Sequence, residues 1–355
     1  MQSAKYQAIA LGMFLMFGAF TGCLGDDEED TTTDTTVTKT AVKIGFLNPL
    51  TGPLEPDAPG FTWAANEAIA DLNAASSTHT YELVEVDSAC DGTPAAAGAQ
   101  TLIDSGVVAV AGAACSGASM GANAVLSAAG IPMISYASTN PGLSDATAYP
   151  LFYRIVPSDA IQGPAGADMM ADGGVTNGSL AILHMTNDYG AGLADSIEDA
   201  WGADDLCTKI GYADTTTDFS SQVTAITDAG CDSVILVSYA TDGAAIVEEL
   251  STAGFAGQIF GGDGIAEEGL CTLLSDVNLC DGIVATKPAA PEPNERSVVF
   301  AQLCGAVDDC AAGIYTAEAF DALAIIGFAI FAHLSGGGAG DLGTFIQATG
   351  QGFVG

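Results

Sequence analysis

The feature that most restricts the fold of this chain is a series of short apolar segments that alternate with segments of helical periodicity. Residues 42–47 predict a strand, after which apolar side chains recur at helical spacing at Phe61, Ala64, Ala65, Ala68, Ile69 and Leu72. Further strands are predicted at 81–86, 107–111 and 131–135, and a helix at Thr93-Pro94, with Thr93 as N-cap. This order predicts a parallel sheet with helices on both faces.

The same alternation begins again in the second half of the chain. Helices are predicted over 191–201 and after Asp218, and strands at 180–183, 209–212, 234–237, 258–260 and 283–285. The predicted fold class is therefore α/β, with two doubly wound parallel-sheet lobes. A long apolar helix is predicted over 313–333. Because Glu318 and Asp321 interrupt it, we expect a packed helix rather than a membrane span.

Acidic residues far outnumber basic ones: 44 Asp and Glu against 7 Lys and Arg give a formal net charge of −37. So few cations cannot form a basic surface, which excludes nucleic-acid binding and charge-driven adhesion to anionic lipids. The carboxylates are spread along the chain, so we interpret them as a source of solubility, or of adaptation to a salty medium, rather than as an acidic site. The 355 residues allow two ordinary domains.

The N-terminus has the pattern of an exported lipoprotein. Lys5 precedes an apolar run over 8–20, which is too short for a comfortable membrane span but suits a signal peptide over 1–22. Residues 20–23 resemble a lipobox, with Phe20 where Leu is usual, and Cys23 is the expected lipidation site. The alternative is a plain signal peptide followed by a chance cysteine. Residues 23–40 are acidic and Thr-rich, as a surface tether requires.

The cysteine count agrees with export. The chain has nine cysteines, and when Cys23 is set aside an even number remains: Cys90, Cys115, Cys207, Cys231, Cys271, Cys280, Cys304 and Cys310. Outside the cytoplasm such a set predicts disulfides. Zinc is the competing interpretation, but no Cys-x-x-Cys pair occurs and the histidines, His79, His184 and His333, are not clustered near cysteines. We therefore predict no metal and no cofactor.

Ligands of doubly wound sheets bind beyond the carboxyl ends of the strands, so the loops at these ends are the candidate site. Two loops of the first half, 113–119 and 136–141, are rich in small and hydroxyl side chains and open into helices; they contain Ser116, Ala137, Ser138 and Thr139. Backbone N–H groups at a helix start, with Ser and Thr hydroxyls, suit a carboxylate. The alternative is ordinary N-capping.

The corresponding loops of the second half, 186–190, 238–242 and 261–264, supply Tyr189, Tyr239 and Asp263. A carboxylate opposite a hydroxyl-rich anion site is the arrangement that an α-amino acid needs, with one lobe for each charge. Taken singly, the tyrosines also fit as half-buried core aromatics and Asp263 as a turn residue.

Several of these motifs occur together in one known family. From residue 42 onward the chain resembles the branched-chain amino-acid-binding proteins of ABC importers, which have the type I periplasmic-binding fold. The matching segments are 86–91 with Cys90, the Cys115-Ser116 pair, 133–135 with 139–141, 188–194, and 261–264.

The resemblance implies roles for these residues. Ser116, Ala137 and Thr139 would hold the ligand carboxylate, with Ser138 in the same loop, while Tyr189, Tyr239 and Asp263 would close over the ammonium and side chain. It also implies a Cys90–Cys115 disulfide. The pairings Cys207–Cys231, Cys271–Cys280 and Cys304–Cys310 rest only on proximity in sequence, and eight cysteines allow many others.

The same resemblance, read with the strand pattern, places lobe 1 at 41–157 plus 288–355 and lobe 2 at 158–287. The hinge is expected near Val156-Pro157 and Lys287-Pro288. Two departures concern the ligand: residues 54–59 lack the aromatic of the best-known members, and Asp263 replaces their Glu. The family usually continues through a final strand pair beyond the point where this sequence stops.

The expected function is that of an extracytoplasmic, lipid-anchored solute-binding protein. It would deliver a branched-chain or other neutral amino acid to the permease subunits of an ABC importer. The alternatives are a receptor-type regulator of the same fold and a binder of a small amide, urea-like or carboxylate solute. An enzyme is not expected, because the chain has no Gly-x-Ser-x-Gly elbow, P-loop or dinucleotide fingerprint, and no histidine lies in the strand-exit motifs.

Overall fold

The structure of the chain is a computed structural model that describes residues 39–266, 268–289, 295–306, 313–338 and 340–352. The predicted signal peptide, the lipidation site Cys23 and the tether up to residue 38 lie outside the described residues, as does Cys310.

The first half of the chain forms a five-stranded parallel sheet in the order β2-β1-β3-β4-β5. Its strands are β1 (Thr40–Asn48), β2 (His79–Asp87), β3 (Val110–Ala111), β4 (Met133–Ser135) and β5 (Phe152–Arg154). The helices between them are α1 (Ala58–Ala75), α2 (Gly92–Ser105) and α3 (Ser116–Leu126). Central strands of a parallel sheet are covered on both faces, so Ile44, Phe46 and Leu47 of β1 are fully buried.

The second half forms another five-stranded parallel sheet, in the order β10-β9-β8-β6-β7. The strands are β6 (Leu180–Met185), β7 (Leu206–Tyr212), β8 (Ser233–Val237), β9 (Gln258–Gly261) and β10 (Val284–Ala285). The helices are α4 (Asp159–Asp172), α5 (Asp188–Trp201), α6 (Ser220–Ala229), α7 (Ala240–Thr252) and α8 (Glu268–Leu273). All five residues of β8 are buried, as its continuous apolar sequence predicts.

The chain then adds the helices α9 (Glu295–Cys304), α10 (Thr316–Ser335) and α11 (Leu342–Gly352). Helix α10 is long and apolar enough to cross a membrane, but half of its most apolar stretch is buried and it packs against α1. A Cβ on Gly327 would lie 2.3 Å from Leu72 Cδ1, so the glycine permits the close approach of the two helices. Side chains of α10 belong to the hydrophobic core of the first sheet.

The fold class is as predicted, and the bounds of several elements differ from the expected ones. Helix α2 begins earlier than expected, because Asp91 rather than Thr93 is its N-cap and accepts a hydrogen bond of 2.8 Å from the Thr93 N–H. Strand β3 covers only 110–111 of the predicted 107–111.

Disulfide bonds join Cys90 to Cys115, Cys207 to Cys231 and Cys271 to Cys280. The first bond links the loops that follow β2 and β3, both at the carboxyl edge of the first sheet.

Candidate functional site

A narrow cleft lies where the carboxyl ends of the two sheets come together. Its enclosed volume is about 20 Å³, which is room for one or two water molecules. The residues that line it come from strand-exit loops of both sheets and from the start of α10: Leu54, Asp57, Phe61, Ala114, Cys115, Ser116, Ala137, Tyr189, Tyr239, Asp263, Gly264, Ile314 and Tyr315.

Asp263 is the buried acid of this cleft, in the loop that follows β9. Its Oδ1 accepts hydrogen bonds from Tyr189 Oη at 2.8 Å and from Gln162 Nε2 at 3.0 Å. Its Oδ2 accepts one from Tyr315 Oη at 2.6 Å. A buried carboxylate needs such partners to offset its lost hydration. The three donors therefore fix the carboxylate in one orientation at the cleft.

The tyrosines that bind Asp263 remain protonated donors. Burial, and then the negative charge of Asp263, raise the pKa values of Tyr189 and Tyr315 well above the ordinary range. Tyr315 immediately precedes α10 and adopts a left-handed backbone conformation, with φ of 73°. This backbone conformation is costly for a non-glycine residue, and it occurs at the residue whose phenol donates a hydrogen bond to Asp263.

Tyr189 and Tyr239 stack on each other with ring centroids 5.1 Å apart and an angle of 18° between the planes. Tyr189 lies at the start of α5, where a Cβ on the next residue, Gly190, would lie 2.2 Å from Met185 O. The backbone N–H of Gly264 donates to Tyr189 Oη at 3.0 Å. The aromatic pair and the acidic loop therefore form one connected unit of the second sheet.

On the first sheet, the start of α3 contributes Cys115 and Ser116 to the cleft. The first backbone N–H groups of a helix have no intrahelical partner, and the side chain of the N-cap Cys115 does not accept a hydrogen bond from those of α3. These groups therefore suit an anion. The Ser116 Oγ accepts a 3.3 Å hydrogen bond from the Asn140 N–H, which ties the helix start to the loop after β4.

The hydroxyl groups of the loop after β4, on Ser138 and Thr139, are buried beside the cleft. The Ser138 Oγ lies 3.2 Å from the carbonyl oxygen of Ala113 and 2.9 Å from that of Ala114, and its single O–H is directed to these buried acceptors. Arg154 donates to the carbonyl oxygens of Ser138 and Asn140, which holds the loop against β5. The buried Thr139 Oγ1 has no hydrogen-bond partner within the described residues.

A second buried acid, Asp159, lies at the start of α4 near this loop. Its backbone N–H donates to Thr139 O at 2.9 Å, yet neither carboxyl oxygen has a hydrogen-bond partner among the described residues. Burial, and then the negative charge of Asp263, raise the pKa of Asp159 to about 8. Thr139 and the Arg154 guanidinium oppose this shift.

One wall of the cleft is apolar, formed by Leu54, Phe61, Ala114 and Ile314. Leu54 lies in the 54–59 segment that lacks the family's aromatic residue, so an aliphatic side chain and Phe61 of α1 line the cleft there. This wall suits an apolar ligand group.

The structure brings most of the predicted site residues to one place. Ser116, Ala137, Tyr189, Tyr239 and Asp263 line the cleft. Ser138 and Thr139 are buried beside it and do not line it.

Sequence reasoning missed Leu54, Phe61, Ile314, Tyr315, Gln162 and Asp159. The position of Leu54 after β1 was an available signal. Asp159 follows the N-cap Ser158 and has the pattern of an ordinary helix start, while nothing near Tyr315 in the sequence indicates a site. The described residues contain no group of three or more His, Cys, Asp or Glu that could hold a metal ion.

Two parallel sheets with a cleft at their carboxyl ends, an uncapped helix start and a buried acid define a two-lobed α/β binding protein. A sequence model of the family described as periplasmic binding protein matches residues 41–304. The chain therefore belongs to the periplasmic binding protein family, and the predicted resemblance and fold class are confirmed.

Two curated relatives illustrate the similarity. The chain is 25% identical over 291 residues to the leucine-, isoleucine-, valine-, threonine- and alanine-binding protein of Pseudomonas aeruginosa, covering 80% of this chain and 76% of the relative. It is 28% identical over 284 residues to the Leu/Ile/Val-binding protein of Escherichia coli, covering 78% of this chain and 76% of the relative.

Solved structures share the fold. A leucine-binding protein from Thermotoga maritima matches with a TM-score of 0.76 and 22% identity over 87% of each chain. An ABC-transporter solute-binding protein from R. palustris, in complex with 4-hydroxybenzoate, matches with a TM-score of 0.74 and 18% identity, covering 87% of this chain and 84% of the other.

Proposed function

We propose that this protein captures a small neutral α-amino acid between its two lobes and delivers it to an ABC importer. The observation that carries the proposal is the pairing, across one cleft, of the buried acid Asp263 with the uncapped start of α3. An α-amino acid has a cationic and an anionic group on one carbon, and this cleft offers a partner to each.

The ligand carboxylate is assigned to lobe 1. Ser116 and the first N–H groups of α3 would bind it, with Ala137 and the loop of Ser138 and Thr139 alongside. A helix start favours an anion through its free N–H groups and its dipole. The ammonium is assigned to Asp263, and the stack of Tyr189 and Tyr239 would cover the rest of the ligand.

The apolar wall favours a ligand with an aliphatic side chain. Leu54, Phe61 and Ile314 offer no hydrogen-bonding side chain, so a hydrocarbon group gains from contact with them. The names of the curated relatives, which bind leucine, isoleucine and valine, support the same ligand class.

Capture would require the lobes, 41–157 plus 288–355 and 158–287, to open and close. The enclosed volume admits only one or two water molecules, so an amino acid would enter an open form. Asn140 Nδ2 donates to Asp188 O and Tyr315 donates to Asp263, and both bonds join the first lobe to the second. These bonds would break and re-form about the hinge near 156–157 and 287–288.

The proposed place of action is the extracytoplasmic face of the membrane, with a lipid on Cys23 as the anchor. The apolar run that ends at Cys23 and the Thr-rich tether support it. Intact-mass analysis of protein extracted from membranes would show a lipid-modified mature chain that begins at Cys23. A mature N-terminus elsewhere would contradict the anchor without affecting the ligand assignment.

A carboxylate without an ammonium group is the second candidate ligand. The uncapped start of α3 would accept it, and a structural neighbour binds 4-hydroxybenzoate. In that case the buried Asp263 would have no cationic partner, which is why the amino acid is preferred.

A thermal-shift screen of the twenty amino acids, with 4-hydroxybenzoate, acetamide and urea, tests the proposal. A ligand present at a hundred times its Kd stabilises the folded protein by roughly 2.7 kcal/mol. We expect stabilisation by leucine, isoleucine or valine. Stabilisation by 4-hydroxybenzoate or by the uncharged amides alone would contradict the amino-acid assignment.

A further inference from the structure

We propose that Gln162 is a positioning residue for ligand binding: its amide orients Asp263 and joins that acid to Thr286, the residue before the hinge expected at 287–288. This inference rests on the proposed function and deepens it. Gln162 does not line the cleft, so it acts only through the residues that it contacts.

The first argument is that the Gln162 amide bridges two segments that are far apart in the sequence. Its Nε2 donates to Asp263 Oδ1 at 3.0 Å and to Thr286 Oγ1 at 3.1 Å. An amide nitrogen has two N–H groups, and each has an acceptor here. Gln162 is 8% exposed, and a buried amide needs such acceptors. The bridge therefore fixes the amide and both of its partners.

The second argument is where the bridge lies relative to the hinge. Gln162 is in the first turn of α4, shortly after the crossing expected at 156–157. Thr286 follows β10, and its backbone N–H donates to Gly261 O of β9 at 3.0 Å. The bond between Gln162 and Thr286 therefore joins the two places at which the chain enters and leaves lobe 2. Because Asp263 is bonded to the same amide, the ligand-binding acid is connected to the hinge.

The third argument is that the helix carrying Gln162 is packed closely against its neighbour. A Cβ on Gly163 would lie 2.5 Å from the backbone carbon of Ser196, so α4 contacts α5 with no room for a side chain between them. Helix α5 also presents Tyr189, which donates to the same Asp263 oxygen at 2.8 Å. The two donors to this oxygen thus come from helices that are fixed relative to each other.

The fourth argument concerns the donors that stay with Asp263 when the lobes separate. Tyr315 belongs to lobe 1, so its bond to Asp263 must break on opening. Tyr189 and Gln162 belong to lobe 2, as Asp263 does, and their bonds persist. They hold the carboxylate in place for the arriving ammonium, and such preorganisation raises affinity because less freedom is lost on binding.

The neutral charge of the amide also suits this role. A Lys or Arg at position 162 would form an ion pair with Asp263 and cancel the charge that the ammonium needs. An amide orients the carboxylate by hydrogen bonding and leaves its negative charge available to the ligand.

The test is calorimetric titration with leucine of variants that remove one bond at a time. Gln162→Met keeps the length of the side chain without its donors and should raise the Kd about tenfold. Thr286→Val removes only the hydroxyl and should raise it about threefold, whereas Thr286→Ser keeps a hydroxyl and should bind as the parent does. Gln100→Met is the control, since Gln100 is exposed on α2 and donates to Asp104.

A double-mutant cycle separates positioning from a general loss of structure. If Thr286 acts through the amide, Thr286→Val should have no further effect on the Kd in the Gln162→Met background. Additive effects of the two substitutions would contradict the connection between Asp263 and the hinge. Urea denaturation of each variant measures any loss of stability, which by itself would not be restored by Thr286→Ser.

The outcomes distinguish this inference from the proposed function. If the parent binds no amino acid in the screen, the proposed function fails and this inference fails with it. If the parent binds leucine and either Gln162→Met or Thr286→Val has the parental Kd, only this inference fails. Thr286 is half-buried, so its two variants decide the matter even if Gln162→Met does not fold.

Discussion

At the scale of single residues, the two buried carboxyl groups near the cleft differ in their hydrogen-bond partners. Asp263 depends on two phenols and an amide for its orientation. Asp159 has no such partners among the described residues, and its raised pKa follows from that burial. The same buried environment that fixes the orientation of Asp263 makes the ionisation of Asp159 costly.

Asp263→Asn is expected to lose more than a hundredfold in affinity for leucine while folding normally. The substitution keeps the shape of the side chain but removes its charge, so the ammonium loses a buried partner, at a cost of about 3–5 kcal/mol. Calorimetric titration at constant pH measures the change. Asp232→Asn, at an exposed position of the same lobe just before β8, is the control and should bind as the parent does. Parental affinity in Asp263→Asn would exclude an α-amino acid held in this way.

Asp159→Asn is expected to raise the free energy of unfolding of the ligand-free protein more at pH 8 than at pH 5. The difference between the two pH values should be at least about 2 kcal/mol. The folded-state pKa of about 8 is above the ordinary value of 3.8. Between these values the folded chain binds more protons than the unfolded chain, so the parent's free energy of unfolding falls as pH rises through this window. Asparagine does not titrate and avoids the loss.

Urea denaturation of parent and variant at both pH values provides the measurement. An equal difference in unfolding free energy at pH 5 and pH 8 would show that Asp159 ionises normally in the folded protein.

At the scale of elements, the N-termini of two helices, α3 and α5, contribute residues to the cleft. The start of α3 lacks a side-chain cap and is open to an anion, whereas Asn187 caps α5 by accepting from the Gly190 N–H at 2.8 Å. The capped helix presents Tyr189 rigidly. The starts of α3 and α5 thus differ: the first is open to an anion, and the second positions an aromatic ring.

Gly190→Ala is expected to destabilise the protein by about 2–4 kcal/mol, since the new Cβ would lie 2.2 Å from the Met185 carbonyl oxygen, a backbone atom that cannot move aside. Urea denaturation measures the loss. Gly350→Ala in α11 is the control, because a Cβ added to Gly350 would meet no atom within 4 Å; it should be neutral or slightly stabilising. Equal stability of the two variants would contradict the close packing of α5 on β6.

At the scale of the whole molecule, net charge opposes the compact state. The chain carries a formal charge of −37. Lys209 forms ion pairs with Asp195 and with Glu198. Because 44 Asp and Glu face only 7 Lys and Arg, most carboxylates cannot have a cation beside them, and they repel one another across the surface.

The melting temperature is expected to rise by several degrees between about 0.01 M and 1 M potassium chloride. Over this range the screening length falls from about 30 Å to about 3 Å, which weakens the repulsion among surface carboxylates. Differential scanning calorimetry at constant pH provides the measurement. Chloride is used because sulfate stabilises most proteins by exclusion from their surface. A constant or falling melting temperature would show that repulsion contributes little to the stability of this protein.

The sequence alone was sufficient for the features that depend on local pattern. Apolar alternation predicted the two parallel sheets, and the rule that ligands bind beyond the carboxyl ends of strands selected the loops of Ser116, Tyr189, Tyr239 and Asp263. These residues lie within a few positions of a strand end, so a short window of sequence contains the information.

Only the tertiary structure decided how Asp263 and Asp159 are surrounded. The donors to Asp263 are 52, 74 and 101 residues away along the chain, in Tyr315, Tyr189 and Gln162. Asp159 looks in sequence like any acid at a helix start, where such a residue is usually exposed and ionised. Its burial depends on the packing of α4 beside the loop of Thr139 and within reach of Asp263. Desolvation and charge depend on distance in space, which local periodicity does not determine.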